Sequence, residues 1–156
     1  MDKTVQKAIA PARAEARCAC GAVVMEIAVP AQWAWHDHSM KTQRAHSAAY
    51  ATYVGTWRSR FAFVRGEAEV RRYEEPETGA VRGFCGRCGP PILYERKRAR
   101  NNVNIPRALF TSGVGREPRY HIGIDQTPEW AYDGEALKPL KGFPGVVWNG
   151  GKRRRA

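Results

Sequence analysis

The sequence predicts a mainly β domain of short antiparallel strands, on three observations. Stretches rich in β-branched and aromatic residues recur between turn signals, helical periodicity is scarce, and the four cysteines fall into two close pairs able to staple short strands together. Many short strands at this spacing imply a sandwich-like or barrel-like arrangement.

The first clear strand signal follows Gly21. There Val23, Met25, Ile27 and Val29 alternate with Ala22, Val24, Glu26 and Ala28, the period of two expected of a half-buried strand. Further β-rich stretches cover residues 49–57, 61–65, 69–73, 81–84, 92–95, 102–105 and 120–124. The run Glu74-Glu75-Pro76-Glu77-Thr78-Gly79 carries the Pro and Gly of a hairpin connection, so the strand before it should return as the one entering Cys85. Residues 39–46 are the best short helix, with Ser39 able to cap it. Residues 1–16, a mixture of Ala, Lys, Arg and Glu around Pro11, read as a loose leader; 17–145 form the domain and 146–156 a basic tail.

The 156 residues suit one domain, and 43% hydrophobic content is that of a globular chain. No apolar run approaches the roughly 18 residues that span a bilayer, and residues 8–12 are too short for a signal peptide, which predicts a soluble cytoplasmic protein with no membrane partner. There is no P-loop, dinucleotide fingerprint or internal repeat. The net charge of +11 is uneven: Lys138, Lys141 and the Lys152, Arg153, Arg154, Arg155 run follow the last acid, Glu135. Such a tail is usually solvated, and nonspecific attraction to polyanions follows from charge alone.

The pairs Cys18-Ala19-Cys20 and Cys85-Gly86-Arg87-Cys88 suggest one tetrahedral site, because two short loops each offering two thiolates can enclose Zn²⁺ at about 2.3 Å without strain. Gly21, Gly86 and Gly89 would let the backbone turn tightly around the sulfurs. Two disulfides, or four unconnected thiols, are the other readings; a reducing cytosol disfavours the first and the paired spacing the second. A site of this kind is closed and does no chemistry.

The chain resembles the family of glutathione-dependent formaldehyde-activating enzymes and centromere protein V. The matching elements are C-x-C-G-A-V at 18–23, S-M-x-T-Q-R-A-H-S-A-A-Y at 39–50, G-F-C-x-x-C-G at 83–89, and a tail with His121 and Trp130. The resemblance implies a β-rich, Mss4-like fold with a structural zinc on Cys18, Cys20, Cys85 and Cys88. It also implies a carbon–sulfur lyase-type activity on glutathione–formaldehyde-type thiol adducts, using a second zinc on a C-x-C-x-x-C loop. This sequence places His36, His38 and Lys41 at those three positions. Three thiolates bring three negative charges to Zn²⁺, two neutral imidazoles bring none, and a lysine ammonium repels the ion, so the second metal should be weak or absent. Pro90 also departs from the family's usual Ser or Thr, and removes a backbone N–H beside the cysteines.

His36 and His38 should share one side of an extended segment, which makes them a tentative second metal site. His46 could complete it if the turn folds back, whereas Asp37 would have to turn against the alternation. His121 reads as a structural residue of its strand, and Trp57, Trp130 and Trp148 as core or pocket-wall residues. Two functions compete. One is a lyase-type protein for a small thiol adduct with a rebuilt reaction centre; the other is a non-catalytic, zinc-stabilised module for nucleic acid or a protein partner, using residues 96–100 and 152–155.

Overall fold

The computed structural model describes residues 12–131, and beyond them residues 134, 138–139, 141–142, 144 and 147–148. Most of the basic tail therefore lies outside the described residues.

Two sheets form the domain. In the smaller, β1 (Arg13–Arg17) and β5 (Phe61–Arg65) flank β2 (Val24–Ala28), both antiparallel to it. β1 corrects the expected leader: residues 13–16 are strand. Ala14 and Ala16 face the core while Arg13 and Arg17 are exposed, an alternation whose apolar half is alanine and too small to stand out in sequence. As the middle strand, β2 is buried at Val24 and Ala28 as well as at Met25 and Ile27, so only Glu26 reaches toward solvent and the half-buried expectation fails.

The larger sheet contains β3 (Trp33–Asp37), β4 (Ala51–Trp57), β6 (Val70–Glu74), β7 (Val81–Cys85), β8 (Pro91–Glu95), β9 (Asn102–Pro106) and β10 (Tyr120–Ile122). Their order is β10-β3-β4-β9-β8-β7-β6, and every pairing is antiparallel except β10 with β3. Outside both sheets, β11 (Lys138–Pro139) pairs with β12 (Val147–Trp148). The hairpin read from residues 74–79 joins β6 to β7 as expected.

The main core fills the space between the sheets, with Met25 and Ile27 meeting Val54, Ile92, Val103 and Ile105. Each such side chain contributes roughly 1.5–3 kcal/mol on burial. A second cluster, Trp35, Ala51 and Tyr53 with Trp33 and Tyr94 against it, covers the opposite face of the large sheet. Trp33 crosses Gly55, where a Cβ would lie 1.6 Å from its indole nitrogen, and donates to Asn104 Oδ1 at 2.9 Å. Any side chain at Gly55 would expel that ring.

The helix α1 (Met40–His46) lies close to its expected place. Its first turn is not capped by the Ser39 hydroxyl; instead Asp37 Oδ1 accepts from the Ser39 N–H, and Gln126 Oε1 accepts from the Met40 N–H at 2.9 Å. Gln43 returns the contact through hydrogen bonds to the His38 and Gln126 carbonyls. The cap thus comes from a 3₁₀ turn (Ile124–Gln126) more than eighty residues away. No helix among the described residues is long and apolar enough to cross a membrane.

Candidate functional site

The cysteine cluster forms where the turn after β1 meets the end of β7. Cys18 accepts the Gly21 N–H on its carbonyl and the Val23 N–H on its sulfur, while Gly21 takes φ +72°, so the first pair is wrapped in a tight turn. Cys85 closes the second knuckle by accepting the Gly89 N–H, with Gly89 at φ +91°. Gly86 serves differently: a Cβ there would come within 3.0 Å of the Glu69 carbonyl.

All four sulfurs lie within 4.8 Å of one another, with Cys18 to Cys20 at 3.6 Å and Cys20 to Cys85 at 3.9 Å. Sulfurs about 2.3 Å from a tetrahedral ion stand roughly 3.8 Å apart, so the cluster is compatible with a structural zinc. None is in a disulfide. The donor chemistry agrees. Burial raises the Cys18 thiol pKa, but the Val23 N–H and neighbouring sulfurs outweigh it and bring it to about 6, whereas desolvation and the other sulfurs push Cys88 to about 12. Four thiolates this close repel one another unless a cation sits among them.

The histidines gather at the far edge of the large sheet. β10 runs parallel to β3 with His121 opposite His36, and β4 places Thr52 opposite His36 on the other side. His36 and His38 share one side of the extended segment, as expected: both rings pack on Tyr50 and on His121, with His36 and His121 centroids 4.7 Å apart. Ring nitrogens are engaged by protein: His36 Nδ1 with Thr52 Oγ1 at 2.8 Å, His38 Nε2 with His121 Nδ1 at 3.0 Å, and His38 Nδ1 with Thr127 Oγ1 at 3.2 Å. Burial and then the neighbouring His121 hold His36 and His38 below the usual imidazole pKa, so both are neutral at physiological pH.

The other two expected participants are elsewhere. His46 does not fold back onto His36 and His38; its Nε2 meets the buried Tyr53 hydroxyl at 2.7 Å, and burial, with Arg82 nearby, lowers its pKa to about 4. Lys41 turns away to Glu77 at 2.6 Å, with Glu75 at 3.9 Å, and the Glu77 contact raises its pKa. Among the described residues no second set of three ligand atoms gathers as the four sulfurs do. A thiol-activating zinc therefore does not fit His36, His38 and Lys41.

A charged network moors α1 instead. Glu75, only 7% exposed in the hairpin, accepts from Arg82 Nε at 2.6 Å and from Thr78 Oγ1, and Arg82 reaches Thr42 of the helix and Tyr53 of β4. Beside it lies a cavity of about 500 Å³ lined by Lys41, Arg44, Tyr73, Glu75, Glu77 and Arg82. Sequence reasoning missed Glu75, Arg82 and Tyr53; it placed His121 in a strand, where it lies, but only the parallel β10–β3 register adds its contact with His38. It also misplaced Trp130, which is 73% exposed, and Trp57, which is half exposed against Trp33. The side chain of Trp148 lies outside the described residues.

A family profile described as glutathione-dependent formaldehyde-activating enzyme matches residues 13–126. The crystal structure of a Rhodobacter sphaeroides protein superposes with a TM-score of 0.56 at 20% identity, over 68% of this chain and 98% of that one, a likeness of fold. No curated protein sequence is significantly similar. The profile runs from β1 through the helix-capping turn and takes in both cysteine knuckles and all four histidines, and the chain belongs to the glutathione-dependent formaldehyde-activating enzyme family.

Proposed function

We propose that the chain holds one structural zinc on Cys18, Cys20, Cys85 and Cys88 and acts as a carbon–sulfur lyase-type protein on a hemithioacetal, the adduct of a thiol and an aldehyde. The reaction centre is imidazole in place of thiolate–zinc. One observation carries this reading: His36, His38 and His121 converge on the family's reactive-metal segment as hydrogen-bonded rings, while Lys41 is withdrawn into an ion pair. Neutral imidazoles can take the adduct's hydroxyl proton and later return one to the departing sulfur, which is general acid–base catalysis worth about 10²–10⁴ in rate.

Hemithioacetals built from glutathione, cysteine and a simple alkyl thiol, with formaldehyde and larger aldehydes, provide the test, their breakdown followed by NMR exchange. At least one adduct is expected to turn over about 10²-fold or more above its spontaneous rate, with no dependence on added zinc. Glutathione with formaldehyde should stay near the spontaneous rate, because the three sulfurs its family chemistry uses are missing. A panel without any accelerated member would sink the proposal.

A second reading rests on Arg96, whose guanidinium lies 5.6 Å from the ring centroids of both Trp35 and Tyr94. With Arg58, Lys97 and Arg100 it lines a cavity of about 410 Å³ that Glu74 and Glu95 also line. Arg58 is paired with Glu95, so the cationic excess there that could meet a polyanion rests on Arg96, Lys97 and Arg100. Neutralising Arg96, Lys97, Arg98 and Arg100 should then reduce the salt slope on duplex DNA by roughly 0.9 per lost phosphate contact. Equal slopes would dismiss the patch.

A further inference from the structure

The histidine cluster contains a hydrogen-bond chain whose protons can be assigned link by link. Thr127 Oγ1 lies 2.8 Å from the Ile124 carbonyl oxygen and 3.2 Å from His38 Nδ1. A carbonyl oxygen only accepts, so the single hydroxyl proton of Thr127 points to Ile124, and the Thr127 oxygen must accept from His38 Nδ1–H. His38 is 5% exposed, and as a neutral ring with its proton on Nδ1 it presents a bare Nε2. That nitrogen faces His121 Nδ1 at 3.0 Å. His121 Nδ1 must therefore carry the proton of that bond, so in the neutral form of this exposed ring the bare nitrogen is Nε2. Every contact in the chain is satisfied by this assignment; reversing any one link leaves two acceptors or two donors face to face.

We infer that His121 Nε2 is the general base of this protein, and that Thr127 and His38 are positioning residues that hold it in the reactive tautomer. The inference rests on the lyase-type reading above and names the atom that does its work. The hemithioacetal hydroxyl gives its proton to His121 Nε2, the O–H electron pair becomes the second bond of the aldehyde carbonyl, and the C–S bond breaks with its pair going to sulfur. The imidazolium then returns the same proton to that sulfur. Aldehyde and thiol are the products, and no further reactant is needed. The buried His38 acts on His121 as an orienting group acts on any catalytic imidazole: it fixes which nitrogen holds the proton.

Long-range ¹H–¹⁵N NMR on the zinc-loaded full chain, at about pH 8 where imidazoles are neutral, reads the tautomers without any substrate. His38 and His121 should both show a protonated Nδ1 and a bare Nε2. In Thr127→Val the fixed end of the chain is gone, and His121 should shift toward the Nε2–H form, whereas Thr127→Ser should restore the wild-type pattern. A wild-type His121 with its proton on Nε2 would overturn the inference.

Turnover separates this inference from the reading it rests on. For an adduct that wild type accelerates, His121→Gln should lose about 10²-fold in kcat, and Thr127→Val should lose a smaller part that Thr127→Ser recovers. Unchanged turnover in His121→Gln overturns the base assignment and leaves the lyase reading standing. The stated tautomers with no accelerated adduct overturn the lyase reading while the hydrogen-bond chain stands.

Discussion

The cysteine cluster and the histidine cluster are built from similar parts and end in opposite states. Each joins short segments distant in sequence and brings strong metal-ligand side chains together. The four sulfurs turn toward one another and meet within 4.8 Å, with the Val23 N–H directed at the Cys18 sulfur. In the histidine cluster His36 Nδ1, both His38 nitrogens and His121 Nδ1 face protein partners: Thr52, Thr127 and each other. A ligand atom already paired by a protein hydrogen bond must give it up to bind an ion, so residue type alone does not make a metal site. What distinguishes the two is whether the donors are left for a cation or already spent on neighbours.

The largest effect should come from breaking the sulfur cluster. Closing it ties β1 to β7, and zinc sites of this kind contribute on the order of 10 kcal/mol to the folded state. Cys85→Ser should lose zinc and cooperative unfolding together, measured by metal analysis and circular dichroism. A fully folded, metal-free variant would contradict the assignment.

Next in size is the ion pair of Glu75 with Arg82, which moors α1 through Thr42. Arg82→Met leaves the buried Glu75 with only the Thr78 hydroxyl and the more distant Lys41, and should cost up to about 3–5 kcal/mol in denaturant unfolding. Adding Glu75→Gln should recover a large part, since the double variant buries no lone charge. If the single and double variants are equally destabilised, the network is not the mooring.

A smaller effect follows from His46. Its pKa in the fold, about 4, lies below the ordinary 6.5, so the unfolded chain binds the proton first as pH falls. The stability due to neutral His46 is thus fully present above pH 6.5 and is lost as pH drops from 6.5 toward 4. His46→Gln, which keeps a partner for Tyr53, should show a shallower loss of melting temperature across that window. Parallel slopes would mean that His46 does not resist protonation in the fold.

The strands and the cysteine pairing were legible because both are local signals: alternation over a few residues, and ligands two or three apart. β1 escaped because its buried residues are alanines, too weak a hydrophobic signal beside Arg13, Glu15 and Arg17. The helix was legible from its residues, but its cap was not, since Gln126 reaches Met40 only through the fold. For the same reason the sequence showed that His36 and His38 share a side yet assigned His121 no part in the cluster. His121 joins through a parallel strand pairing, and nothing in residues 120–122 announces the direction of the partner strand. Lys41 was legible as a poor ligand, though its ion pair with Glu77 depends on a hairpin thirty-six residues on.

Metal content per chain, measured by inductively coupled plasma mass spectrometry after exhaustive dialysis against zinc-buffered solution, tests the central claim most directly. Wild type and the His36→Ala, His38→Ala and His121→Gln variants should each retain one zinc, and Cys85→Ser none. A second tightly held zinc in wild type, lost in any of the histidine variants, would show that the imidazole cluster is a metal centre and would contradict the assignment of zinc to the four sulfurs alone.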